Sequence, residues 1–179
     1  MNEGIDEETA QELVQLLPQL RRFARGLTGS IDDADDLVQS ACERAIDRID
    51  QWRAGTRLDS WMYRIIQNIH IDGVRKAQTA QKNFHVIESL SADYVDGHAV
   101  ADSRLMLDKV RGLVGAMAVE YRSTLLLVCV EGMTYRQAAE VLDVPVGTIM
   151  SRLARARRLV SEGTKETPAQ ALLGEQGDN

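Results

Sequence analysis

Apolar residues recur at i, i+3, i+4 and i+7 along most of the chain, separated by glycine, proline and polar clusters, and no stretch alternates with period two. The pattern predicts an all-α protein. Leu13, Leu16, Leu17, Leu20, Phe23, Ala24 and Leu27 mark one face of a helix over residues 12–27, ended by Gly26 and Gly29. Pro18 inside it either kinks the helix or shifts its start. Asp32 and Asp33 signal a second helix running to about Ile49, with Ala34, Leu37, Val38, Ala41, Ala45 and Ile49 inward. Residues 51–57, with Trp52 and Gly55, read as a loop, and Leu58, Trp61, Met62, Ile65 and Ile69 face the core from a third helix ending near Lys76.

Residues 77–100 carry scattered Gln, Ser, Asp and Gly among isolated apolar positions and read as a linker. Beyond it, Leu105, Leu107, Val110, Val114 and Met117 predict one helix, 122–130 a second, 134–142 a third and 145–160 a fourth. Residues 162–179, with three glycines and Pro168, read as a mobile tail. The expected organisation is two small helical bundles, 1–76 and 101–161, joined by a flexible linker at 77–100 and followed by the tail.

A chain of 179 residues has room for one ordinary domain or two small ones, and 44% hydrophobic with 27% charged residues suits a folded body. The longest apolar run, Leu125 to Val130, falls far short of the roughly 20 residues a membrane span needs, so no membrane insertion is expected. The first twelve residues hold five acidic and no basic side chains, the reverse of a targeting peptide, and a cytoplasmic protein is expected. Cys42 and Cys129 read as small apolar groups, and His70, His85 and His98 show no ligand spacing. With no glycine-rich phosphate loop, nucleophile elbow or CxxC, the expectation is a protein with no catalytic residue, metal or cofactor.

Charge changes this picture, because the net −6 is unevenly spread. Residues 1–76 sum to −4, whereas 101–161 sum to +3 and place Arg152, Arg155, Arg157 and Arg158 within seven residues. Such a cluster can neutralise phosphates on a chain that is acidic overall, although the chain alone would bind DNA weakly and need another subunit's help. On the second predicted helix, Asp36, Gln39, Glu43 and Asp47 share the exposed side. The stripe suits a basic partner; a merely solubilising face is the alternative.

Thr134 and Gln137 fit a capping box, and the short helix they open offers Ala138, Ala139 and Leu142 to a neighbour. Asp143, Val144, Pro145 and Gly147 then make a turn, so the spacing reads as helix-turn-helix. In the last helix Ile149, Leu153, Ala156 and Val160 face inward, which turns Ser151, Ala154, Arg155 and Arg158 outward, flanked by Met150 and Arg157 on one side and Thr148 and Arg152 on the other. Outward arginines can hydrogen-bond guanine or clamp phosphates. A solvated basic helix, or one docked on acidic protein, is the alternative; the coincidence of cap, turn, proline and arginines favours DNA.

Residues 132–158, GMTYRQAAEVLDVPVGTIMSRLARARR, resemble region 4 of the extracytoplasmic-function sigma factors. Independently, DDLVQ at 35–39 resembles the family's region 2 core-binding helix and WMYRIIQNIHIDGVR at 61–75 its promoter-opening helix. The resemblance implies a dissociable initiation subunit, monomeric when free, that directs core RNA polymerase to promoters. It implies that Asp35, Asp36, Gln39, Glu43 and Asp47 grip a basic coiled coil of the polymerase, with Ser40 standing where the family motif carries an acidic residue. It further implies that a loop at 52–59 captures an unstacked non-template base, with Trp52, Tyr63, Arg64, Asn68 and Arg75 at the upstream bubble edge.

Arg64, Asn68, Ile71 and Arg75 share one stripe able to track a strand, whereas Trp61 faces the core, and Trp52 is read as near DNA with a plug of the bundle as the alternative. Thr148, Met150, Ser151, Arg152, Ala154, Arg155 and Arg158 would read the upstream element in duplex DNA, Met150 and Ala154 through apolar contact with a thymine methyl. Relatives in this family are often held by an anti-sigma factor wedged between the two domains, in stress responses. Two other classes compete: a sigma mimic that sequesters an anti-sigma factor, which needs no base-reading arginines, and a stand-alone activator, which needs a sensor domain or dimer interface.

Overall fold

The structure, a computed structural model, describes residues 5–53, 55–81 and 101–165. Seven α-helices and no strand occur among them. Helix α1 (Glu7–Thr28) starts on Asp6, whose carboxylate accepts the Thr9 amide at 2.8 Å. That cap extends the helix ahead of the predicted start, and Pro18 lies within it. Gly29 closes it in the left-handed region at φ 79°, its amide bonded to the Arg25 carbonyl at 2.9 Å.

Helix α2 (Ile31–Asp47) is capped by Ser30, whose hydroxyl accepts the Asp33 amide at 3.3 Å; Asp32 and Asp33 lie in the first turn, where the helix dipole favours them. Ile49 falls beyond it, half-buried in the 3-10 turn Ile49–Gln51. Helix α3 (Leu58–Gln81) runs past Lys76, so residues 77–81, expected in the linker, continue the helix. The rest of that expected linker, 82–100, lies outside the described residues, together with His85 and His98.

The second half holds α4 (Ala101–Gly115), α5 (Val119–Leu125), α6 (Tyr135–Leu142) and α7 (Val146–Lys165). Leu105 and Leu107, among the apolar positions from which this helix was expected, are exposed. Two residues apart on a helix, they cannot share a face, whereas Leu113, further along α4, lies against Gly163 of α7. The predicted helix at 122–130 widens after α5 into a π-helical turn, Leu126–Val130, with the Glu131 amide on the Leu126 carbonyl at 2.9 Å. Residues 162–165, expected in the tail, extend α7; residues 166–179 lie outside the described residues.

Helices α1 to α3 form one lobe around Leu20, Phe23, Leu27, Ala41, Met62 and Ile66, and α4 to α7 form another around Leu127, Ala138, Ile149 and Leu153. The two lobes also pack against each other. One buried cluster runs from Leu13 of α1 to Ile149 of α7, crossing the junction where α6 lies on α3 and the π-helical turn lies on α1. Gly26 permits this approach: a Cβ there would stand 2.6 Å from Leu126 Cδ2, so its role is close packing, and Gly29 alone ends the helix.

Candidate polymerase and nucleic-acid interfaces

On α2, burial of Ala34, Leu37, Val38, Ala41 and Ala45 turns Asp35, Asp36, Gln39, Glu43 and Asp47 to solvent on one acidic surface. Gln39 donates to Glu43 at 3.0 Å, and Asp35 accepts from Arg21 of α1 at 3.1 Å with both side chains more than half exposed. Asp36, Glu43 and Asp47 thus remain the carboxylates most open to a partner. Cys42, half-buried beside this face, is held protonated by burial, which pushes its thiol up. Cys129, expected to pack inside, is exposed on the π-helical turn with its Sγ 3.8 Å from an Arg157 nitrogen.

The loop before α3 turns at Gly55, φ 83°. Trp52 is half-buried, and its indole N–H is buried without an acceptor among the described residues. Arg57 donates to Asp59 Oδ1 at 3.0 Å, tying the loop to the first turn of α3. Burial pushes the Asp59 carboxyl up, but the Arg57 guanidinium and the Ser60 amide together hold it below the ordinary carboxylate value.

Along α3, Arg64, Asn68 and Arg75 are exposed and Ile71 is half-buried, so the predicted stripe exists as a surface. Two of the residues expected at the bubble edge are otherwise engaged. Tyr63, expected at the bubble edge, is 1% exposed: its ring meets Phe23 edge-on at 5.0 Å and its hydroxyl donates to Glu131 at 2.8 Å. No face of it is open for a base to stack on. Burial and the Glu131 carboxylate push its phenol far up, fixing it as a donor. Arg64 donates to the Glu140 carbonyl of α6, in the other lobe. Trp61 is half-buried against the core, as its place on the helix predicts.

The helix-turn-helix is formed by α6 and α7. Thr134 and Gln137 cap each other reciprocally at the start of α6, with bonds of 3.3 and 2.9 Å. Asp143 ends α6 at φ 52°, the one non-glycine residue with positive φ among the described residues, and the Val144 amide returns to the Ala139 carbonyl at 3.1 Å. Asn, Asp and Gly tolerate that conformation, a signal legible in the sequence only once the helix end is known. Pro145 precedes α7 and its carbonyl accepts the Thr148 amide at 2.9 Å.

On α7, Ile149, Leu153 and Ala156 are buried, and Met150, Ser151, Ala154, Arg155, Arg157 and Arg158 are exposed, with Thr148 and Arg152 half-buried at the edge. Arg158 approaches Glu162 at 3.7 Å, an exposed pair that competes weakly with any ligand. Among the described residues no group of three or more metal-ligating side chains gathers, and no helix is long and apolar enough to cross a membrane.

The residues that sequence reasoning misses lie between the lobes. Arg22 binds the Glu131 carboxylate with two bonds, 2.9 Å from Nε and 2.6 Å from a terminal nitrogen. Arg122 is half-buried and, among the described residues, meets no carboxylate: it donates to the Leu27, Gly115 and Met117 carbonyls, and its Nε has no partner there. Buried Ser123 donates to Gln67 of α3 at 2.8 Å. Arg22 and Glu131 are 109 positions apart, and no local pattern in either segment pairs them.

Residues 13–67 match the family model for the sigma2 domain of PhyR, and residues 107–160 match sigma-70, region 4. The chain is 29% identical over 157 residues to ECF RNA polymerase sigma factor EcfG of Rhodopseudomonas palustris, covering 88% of this chain and 85% of that one. It is 31% identical over 136 residues to the probable RNA polymerase sigma-C factor of Mycobacterium bovis, covering 76% and 72% respectively. Among solved structures it is similar to the sigma factor RpoE in its complex with the anti-sigma factor NepR from Bartonella quintana, with a TM-score of 0.76 at 27% identity, covering 91% of this chain and all of that one. With an acidic outward face on α2 and a basic outward face on the second helix of a helix-turn-helix, the chain belongs to the ECF RNA polymerase sigma factors, non-enzymatic factors of transcription initiation.

Proposed function

We propose that this sigma factor divides its work among three surfaces. The α2 carboxylates of Asp36, Glu43 and Asp47, with Asp35 and Gln39 beside them, dock on a basic helical surface of core RNA polymerase. Trp52 and the α3 stripe of Arg64, Asn68 and Arg75 hold the melted non-template strand at the upstream bubble edge. Thr148, Met150, Ser151, Arg152, Ala154, Arg155 and Arg158 read the upstream element in the major groove. The observation that carries this reading is α7: three buried apolar residues on one side leave an open basic face on a helix-turn-helix second helix. The lobes carrying these surfaces are 5–81 and 101–165, the work is done in the cytoplasm, and the factor is monomeric before it meets polymerase.

An anti-sigma factor is the expected regulator, on the similarity to RpoE, which was solved bound to NepR. A sigma mimic is the second reading, favoured by the match of residues 13–67 to the sigma2 domain of PhyR. Run-off transcription with purified core polymerase separates the two. A sigma factor yields promoter-specific transcripts, Arg155→Ala weakens upstream-element binding while sparing polymerase binding, and Asp36→Ala does the reverse. A chain that binds an anti-sigma factor yet supports no initiation on any promoter would establish the mimic.

A further inference from the structure

The two ends of α7 offer different chemistry to a duplex. From Val146 to Ala154 the exposed side chains are Val146, Met150, Ser151 and Ala154, all uncharged, with the backbone of Gly147 bare between them and Arg152 half-buried at the far edge. Exposed guanidiniums begin only at Arg155, roughly 14 Å along the axis from Val146 at 1.5 Å per residue. Val146, Met150 and Ala154 stand at i, i+4 and i+8 and so form one apolar row, in which Val146 is 41% and Met150 55% exposed. A helix-turn-helix directs the N-terminal residues of its second helix at base edges. The one apolar group that the major groove shows there is the C5 methyl of thymine.

Ser151 narrows the choice further. Its hydroxyl donates to the Thr148 carbonyl at 3.0 Å, so the oxygen turns only lone pairs toward a ligand. Such an acceptor suits the amino group of adenine or cytosine and has no proton left for guanine O6 or N7. Only the A·T pair presents an amino donor and a methyl group together in the major groove. We infer that the N-terminal end of α7 reads A·T pairs of the upstream element by their thymine methyls. Val146, Met150 and Ala154 form the methyl-contacting row, Ser151 Oγ accepts from adenine N6, and Arg155 and Arg158 hold the DNA farther along. The inference rests on the sigma-factor reading and specifies what its upstream element contains. It also brings in Val146, which helical periodicity leaves at the border of the buried face.

Deoxyuridine tests this, since it pairs as thymine does and lacks only the C5 methyl. With the holoenzyme on a promoter that it transcribes in run-off assays, thymines of the upstream element are replaced one at a time on either strand, and affinity is read by competition at fixed salt. At least one replacement should weaken binding about fourfold, the factor expected for one buried methyl-sized group. Met150→Ala or Val146→Ala should erase that discrimination, whereas Arg155→Ala should weaken binding to both duplexes alike and leave the discrimination in place. Met150 and Val146 are exposed, so thermal melts of both variants should match the unaltered chain. Equal affinity for thymine and deoxyuridine duplexes at every position would overturn the inference and leave the sigma-factor reading standing, as would an upstream element without an A·T pair. Discrimination that survives both variants would refute it by assigning the effect to DNA shape. Loss of polymerase binding in Met150→Ala, with discrimination intact, would give the row to a protein partner instead. Failure of the unaltered holoenzyme to initiate at any specific promoter would remove the sigma-factor reading and this inference with it.

Discussion

Helices α3 and α7 both carry arginines on the side that faces away from their own bundle, and the chain treats the two sets in opposite ways. Arg155 of α7 faces solvent above buried Ile149, Leu153 and Ala156. Arg64 of α3 stands above buried Met62, Tyr63 and Ile66 in the same relation, yet its guanidinium is bonded to the Glu140 carbonyl of the neighbouring lobe. Amphipathic periodicity reports which face leaves the local bundle. Whether that face then meets water, DNA or another part of the same chain is decided by packing between elements distant in sequence.

The sharpest way to break this comparison is to remove the platform under α3. Phe23 is fully buried and packs edge-on against Tyr63, so Phe23→Ala should cost about 3–5 kcal/mol in urea unfolding. A loss under about 1 kcal/mol would mean the first lobe is not organised around that pair. The arginines themselves come next. Arg155→Ala should lower duplex affinity by about 1–3 kcal/mol at fixed salt with thermal stability unchanged, while Arg64→Ala should leave duplex binding by the unbound factor as it was. Equal losses from the two, in a fluorescence anisotropy titration, would erase the distinction between the helices.

A smaller effect is expected at the turn that aims α7. Thr134→Ala removes the reciprocal cap of α6 and should cost about 1 kcal/mol, read as a lower midpoint in denaturant. The smallest is a pH effect at the junction. Burial, reinforced by nearby Arg122, holds the His70 imidazole below its ordinary value of 6.5, so the fold favours the neutral ring. The unfolded chain then binds more protons in that range, and stability present above pH 6.5 is lost as pH falls through the lower folded value. His70→Gln should flatten that slope between neutral and mildly acidic pH in thermal melts, and an unaltered slope would assign it to other groups.

Much of the local architecture was legible before any coordinates. The α6 capping box, the inward set of α7 and the acidic outward set of α2 all appear where periodicity and capping chemistry put them, because they depend on residues three to eight positions apart. Helix ends were less legible: Asp6 and Ser30 cap α1 and α2 ahead of the expected starts, since a cap competes with other polar residues nearby and the winner depends on backbone geometry. Tyr63 shows the deeper limit. The resemblance implied a place for it at the bubble edge, whereas its ring packs on Phe23 and its hydroxyl meets Glu131 from across the junction.

By itself, the sequence determined that this chain is helical, which face α1, α2 and α7 bury, and which surfaces carry acid and base, because those properties follow from side-chain chemistry at helical spacing. The tertiary structure alone decided that the two helical lobes pack together around buried residues of both, that Gly26 is there to admit Leu126, and that a buried carboxylate is satisfied by an arginine and a tyrosine from the first half of the chain. The reason is physical. A helix repeats its environment every turn and so announces its faces locally, whereas a junction between lobes has no period, and its partners are matched by shape and hydrogen bonding only after each lobe has formed.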